Sequence, residues 1–133
     1  MGNPAATLTS PVIATDVHIV MVPTPGGPVP TPLPHVFSGQ ILGGTCPTVM
    51  TGGKPTATVN STAQNVPPHL PTPPGVMFQK PPSNQGTVIL GSMTVMAGGN
   101  GIARMGDTVQ TCGDPADAPV GTIVNGVPTV GIG

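Results

Sequence analysis

CPTVMTGGKPTATVNST at residues 46–62 and SMTVMAGGNGIARMGDT at residues 92–108 are two copies of one stretch, and their reading decides the fold. Aligned without a gap, Thr48 falls on Thr94, Val49 on Val95, Met50 on Met96, Gly52-Gly53 on Gly98-Gly99, Ala57 on Ala103 and Thr62 on Thr108. A third copy is split between the chain ends. VPTVGIG (127–133) stops at its first glycine, and Met1-Gly2-Asn3-Pro4-Ala5-Ala6-Thr7 continues it in register with Gly52-Gly53-Lys54-Pro55-Thr56-Ala57-Thr58. Self-similarity of this kind marks a repeat architecture. It predicts three repeats closed in a ring, with approximate threefold symmetry and the ends meeting inside one repeat. A threefold object fits a threefold partner.

Working outward, the repeat changes what the composition means. The 133 residues include 20 glycines and 20 prolines, a content that without a period signals disorder. Here 37% of residues are hydrophobic and only 5% charged, the reverse of a disordered chain. One domain over 1–133 is expected. Its surface is not kept soluble by charge repulsion, so a partner that buries part of it is expected. The net charge is −1, the cations are Lys54, Lys80 and Arg104, and there is no Trp or Tyr. This argues against nucleic-acid binding. No apolar run approaches the roughly 20 residues of a membrane helix. MGNPAATLTSP has neither the charged nor the apolar region of a secretory signal. The expectation is therefore assembly in the cytoplasm. With two Phe as the only aromatics, the core is small, and something besides burial is expected to stabilise it.

Helix signals are nearly absent. The strands are short and β-branched, separated by Gly-Gly, Asn-Gly and Gly-Ser turns. Residues 57–60 read as a strand, and TIVNGVPTVGIG (122–133) reads as a hairpin around Asn125-Gly126. Two Pro-rich stretches, 21–37 and 66–82, read as irregular insertions between repeats. The expected fold is all-β: a small cone of three pseudo-threefold β-hairpin repeats with Pro/Gly-rich loops.

His18, His35, His69 and Cys112 all lie outside the aligned hairpins, in the insertions. Cys46 lies inside one, in register with Ser92 and Val127, and reads as a small packing residue. Loops from three repeats converge at one pole of the ring, where three His and one Cys suit tetrahedral Zn²⁺. The competing reading is three polar loop histidines and an inert thiol, since no pair shows a metal-binding spacing. A structural zinc would supply the missing stabilisation, on the order of 10 kcal/mol.

Pro4-Ala5-Ala6-Thr7, Lys54-Pro55-Thr56-Ala57-Thr58 and Gly101-Ile102-Ala103-Arg104-Met105-Gly106-Asp107 are variants of a Pro-Ala-Ala-Arg signature. With the TVM-x-GG and PTV-x-IG segments, the chain resembles the PAAR-repeat proteins over essentially its whole length. The resemblance implies a sharp β-cone, stapled near its apex by zinc on His18, His35, His69 and Cys112. It implies a structural role: one copy caps the trimeric β-helical spike of a type VI secretion or phage-tail-like contractile injection machine. The cone would sharpen that spike for membrane puncture and contact the target membrane transiently. It would leave the cell, or enter the target, when the machine fires. Only Arg104 keeps the signature arginine, which Thr7 and Thr58 replace, so the arginine reads as structural and pairs with Asp107. The alternatives are an adaptor that recruits effector cargo to the spike, and a zinc-dependent hydrolase. A closed four-ligand shell argues against the hydrolase, and Asp16, two residues from His18, reads equally as a supporting partner. No fused effector is expected after the last repeat.

Overall fold

The computed structural model describes residues 2–133; the expected place of Met1 in the split repeat lies outside them. The described residues form strands and no helix. In chain order these are β1 Asn3–Ala5, β2 Pro11–Val22, β3 Val29–Gly43, β4 Cys46–Thr51, β5 Lys54–Thr56, β6 Thr62–Asn65, β7 Met77–Phe78, β8 Gln85–Val88, β9 Met96–Ala97, β10 Asn100–Gly101, β11 Thr108–Thr111, β12 Ala118–Ile123 and β13 Val127–Ile132.

The repeat is built three times alike. β4 pairs with β5, β9 with β10 and β13 with β1, each antiparallel. Thr51↔Lys54 corresponds to Ala97↔Asn100 and Ile132↔Asn3, so the two ends of the chain complete one hairpin. Behind each hairpin comes the alanine of the signature. Ala6, Ala57 and Ala103 are fully buried and form a closed ring of main-chain hydrogen bonds. The N–H of Ala6 donates to the Ala103 carbonyl (2.9 Å), that of Ala57 to Ala6 (3.0 Å) and that of Ala103 to Ala57 (2.9 Å). Three segments meeting this closely leave room for a methyl group and little more.

A four-residue turn follows each alanine: Thr7–Ser10, Thr58–Ser61 and Arg104–Asp107. The last residue of each donates its N–H to the first carbonyl at 3.0 Å. The third residue has positive φ: Thr9 at 73°, Asn60 at 78° and Gly106 at 93°. Residues 57–60 are therefore a bridge and a turn rather than the expected strand. The β-branched Val59 and Thr58 suggested extension, but the repeat places them where the chain must reverse.

From the turns rise three further hairpins, β2–β3, β6–β8 and β11–β12. Pairing of β3 with β6, β8 with β11 and β12 with β2 closes them into a six-stranded cone. Asn125-Gly126 does not close a hairpin. β12 belongs to the cone and β13 to the hairpin it makes with β1, so the chain crosses there between two sheets.

Inward residues come in threefold layers. Val12, Ala63 and Val109 face Ile123, Ile41 and Val88 on the partner strands, all buried. In the next layer of β3, β8 and β12 stand Gly39, Gly86 and Gly121. A Cβ at Gly39 would lie 2.4 Å from the Gln64 carbonyl oxygen, and one at Gly121 would lie 2.9 Å from that of Val109. Glycine at these inward positions is what lets the strands draw together. A second, smaller cluster joins the three lower hairpins: Ala5, Ala97, Ile102 and Ile132, with Cys46, Val95 and Val130 against it. Cys46 thus packs where its register predicted.

The first Pro-rich stretch is not an irregular insertion. It forms the ends of β2 and β3 and the turn between them. Pro30, Pro32 and Pro34 face Met21, Ile19 and Val17. The carbonyls of those three residues accept from Val76, Gln79 and Asp114, away from β3. The proline positions therefore need no N–H toward β2, and alternate prolines leave the ladder intact. The second stretch, 66–82, is largely irregular. It runs as a strap from β6 to β7, which pairs with β2 at Val20 and Met21.

Candidate metal centre

Above the apolar layers the inward residues turn polar. β2 carries Asp16 and His18 two residues apart, hence on the same inner face. β3 places His35 opposite Asp16. The strap brings His69, and the chain leaving β11 brings Cys112. All five are buried, with exposures of 1% for Asp16 and His18, 4% for His35, 8% for His69 and 3% for Cys112. The two phenylalanines flank them. The ring centroid of Phe37 is 6.2 Å from that of His69, and the centroid of Phe78 is 5.8 Å from His18 and 5.3 Å from His35.

Of the four residues expected from the sequence, the structure gathers His18, His69 and Cys112, and it adds Asp16. One donor atom from each of these four lies within 4.8 Å of the other three. Cys112 Sγ is 3.5 Å from both His18 Nε2 and Asp16 Oδ2. His69 Nε2–H donates to Asp16 Oδ2 at 2.9 Å, and the Thr111 hydroxyl donates to Asp16 Oδ1. His35 sits beside this group, its ring centroid 5.4 Å from His18 and 5.6 Å from His69. Its Nδ1–H donates to the Leu33 carbonyl (2.9 Å), and its Nε2 accepts the N–H of Thr72 (3.1 Å).

Neighbours fix these side chains. Asp114 accepts from His18 Nδ1–H at 3.3 Å and from the Ile19 N–H at 3.0 Å. The Nε2 lone pair of His18 is thereby aimed at Cys112, the carboxylate–imidazole arrangement common at metal sites. Asn84 accepts the His69 N–H at 2.8 Å and also an N–H of Asn65. Among the described residues, no buried side-chain N or O atom lacks a partner.

Electrostatics separate the members. Burial raises the Cys112 thiol to about 11, and the Asp16 carboxylate pushes the same way. Without a cation Cys112 is a thiol. Burial also lowers His35, against the Leu33 carbonyl, while His18 and His69 lower it further. The donor set nonetheless fits a divalent cation of the zinc type. Tetrahedral bonds of about 2.3 Å to sulfur and about 2.0 Å to nitrogen or oxygen leave a sulfur–nitrogen edge of about 3.5 Å, which is the separation seen at Cys112. A carboxylate and a thiolate would also neutralise the cation's two charges, which a buried site requires.

Asp16 stood in the sequence only as a supporting partner, because it has no counterpart in the other repeats. Its signal was spacing: Asp16-x-His18 on one strand puts both side chains on one face. The turn residues were also missed. Ser10 Oγ, Ser61 Oγ and Asp107 Oδ2 each accept the N–H three residues earlier, at 2.9, 2.9 and 2.8 Å. Asp107 additionally receives Arg104 through Nε (3.0 Å) and Nη2 (2.9 Å), so the expected pair is a two-point one.

Searches among curated proteins and among solved structures returned no match. The family model described as the PAAR motif matches residues 79–133, a span that holds the second full repeat and the start of the split one. That match supports a PAAR-repeat protein, and the same turn and hairpin are built twice more in the rest of the fold.

Proposed function

We propose that this protein is a non-catalytic tip that caps the trimeric spike of a contractile injection machine, one copy per trimer. The PAAR motif supports a spike-tip type of protein. The observation that carries the capping role is the face made by the three lower hairpins. They are related by threefold symmetry and carry a single charge, Lys54. Their apolar side chains point outward: Met93 is 89% exposed, Met50 57% and Met96 55%. A face of three like hairpins, largely apolar and with Lys54 as its one charged side chain among the described residues, is complementary to the blunt end of a trimer, where the same contacts repeat. The cone rises on the other side of the alanine ring, free to lead.

In this reading a cation held by the buried cluster ties β2, the strap and the end of β11 together, so that the tip cannot splay. Its chemistry is structural. The donors are buried, and Phe37 and Phe78 pack beside them. The machine served, any effector cargo, and delivery out of the cell on firing belong to the same proposal.

The test is stoichiometric. Mixed with its spike trimer and measured by light scattering, the chain should add one copy of its mass per trimer. Met50→Glu or Met96→Glu should weaken the complex tenfold or more, because a charge would be buried without a partner. Three copies per trimer, or binding indifferent to both charges, would overturn it.

A further inference from the structure

One position in the three lower hairpins keeps a nitrogen donor where neighbouring positions of the repeat vary. It is the residue after each turn: Lys54, Asn100 and Asn3, opposite Thr51, Ala97 and Ile132. We propose that this position is a threefold key for acidic side chains of the spike, one carboxylate from each of its three chains, with Lys54 making the single ion pair. This rests on the reading that the chain caps a trimer.

All three side chains are exposed. Two positions further on, the repeat mixes polar and apolar residues, with Thr56, Ile102 and Ala5 in one column. Lys54 stands at a groove of about 320 Å³ between its own hairpin and the segment where the chain crosses from β12 to β13. Thr7, Thr9, Ser10, Asn125 and Pro128 line it. Thr9 Oγ1 accepts one hydrogen of the Lys54 ammonium at 2.8 Å, which leaves the others to a partner. The Asn125 side-chain oxygen accepts the Gly126 N–H at 2.9 Å, which leaves its NH2 as a further donor. The acidic residues of the chain stand elsewhere. Asp16 is in the buried cluster, Asp107 is paired with Arg104, Asp114 holds His18, and Asp117 follows in the same loop. A groove that holds a cation and further donors, but no anion, is complementary to a carboxylate from outside. Asn3 keeps the same relation to its neighbouring turn: its Nδ2 lies 3.9 Å from where a Cβ on Gly106 would stand, and Gly106 is the counterpart of Thr9. On a symmetric trimer, whatever meets Lys54 recurs a third of a turn away on each side. There it meets an asparagine, whose NH2 donates to a carboxylate that an apolar side chain would leave unpaired.

The experiment moves the lysine around the ring. Affinity for the spike trimer of the stoichiometric test is measured by biolayer interferometry at low and at physiological salt. Lys54→Asn should weaken the complex about fivefold or more at low salt and flatten its salt dependence. Asn100→Lys should tighten it by a similar factor, because a second carboxylate then gains a cation. The double variant, Lys54→Asn with Asn100→Lys, should return to within about twofold of wild type, since the tip need only seat itself a third of a turn round. A double variant as weak as Lys54→Asn would overturn the proposal, because the lysine would then act only within its own groove. Binding indifferent to all three changes would overturn it too, and in both cases one copy per trimer would leave the capping role standing. A wild-type chain that binds no spike trimer would overturn both.

Discussion

Thr9, Asn60 and Gly106 occupy one place in three turns, and only glycine is at ease there. All three have φ between 73° and 93°, a region that costs a β-branched residue about 1–2 kcal/mol. What holds Thr9 in it is the surrounding frame: its N–H donates to the Ile41 carbonyl at 2.7 Å, as Asn60 does to Val88 and Gly106 to Ile123. Its hydroxyl receives only the exposed Lys54 ammonium. Thr9→Gly should therefore stabilise the protein by about 1 kcal/mol, read as a higher urea midpoint at unchanged slope. At this scale the sequence was legible where residue types repeat. The buried alanine column stood out because Ala57 aligns with Ala103. The oxygen column of Ser10, Ser61 and Asp107 did not, because serine and aspartate look unlike until both are seen accepting the same N–H. The buried cluster was legible in His18, His69 and Cys112, which avoid the repeat. Asp16 was obscured because a lone acidic residue on a strand has many uses.

The elements show why proline counts misled in one insertion and not in the other. In β3 the prolines alternate, and alternation matches the period of a strand. Every missing N–H then falls on the edge away from β2. Leu33 is out of that phase and faces His18 across the ladder. Leu33→Pro should cost about 3 kcal/mol or more through the lost hydrogen bond, whereas Val36→Pro, in phase with Pro34, should cost far less. Thermal melts of the two variants side by side test it, and equal losses would refute the phase argument. In 66–82 six of the seven prolines come as neighbouring pairs, Pro67-Pro68, Pro73-Pro74 and Pro81-Pro82. No strand phase accommodates a pair, and that stretch is a strap with one short strand. The Asn125-Gly126 turn was misplaced for another reason. Turn chemistry fixes where a chain bends and not which strands then pair. That choice was made by closure, which needed β12 against β2 and β13 against β1.

For the whole molecule the repeat predicted the ring, the cone and the meeting of the ends. What it could not show is how the top is finished, because there the three repeats differ. The apolar layers are thin, with Phe37 the only large ring among the fully buried side chains, and above them lies a polar cluster where most folds place apolar residues. If a divalent metal is its staple, stripping the protein with a strong chelator should lower the melting temperature by tens of degrees. A structural zinc contributes on the order of 10 kcal/mol, and about 1 kcal/mol corresponds to several degrees in a chain of this size. Adding back one equivalent of zinc should restore it. A melting temperature indifferent to chelation would remove the staple from the account.

The closed sheet has one more consequence. An open sheet under force peels from an edge strand, one bond after another. Here β12 returns to β2, and at the foot the three alanines bond in a circle, so neither level offers a free edge. A push along the axis is converted into hoop tension around the ring, and the rungs share it in parallel. Such a body has no weak first bond. Under compression it should hold its shape up to a threshold and then fail all at once, as a barrel does when its hoops go.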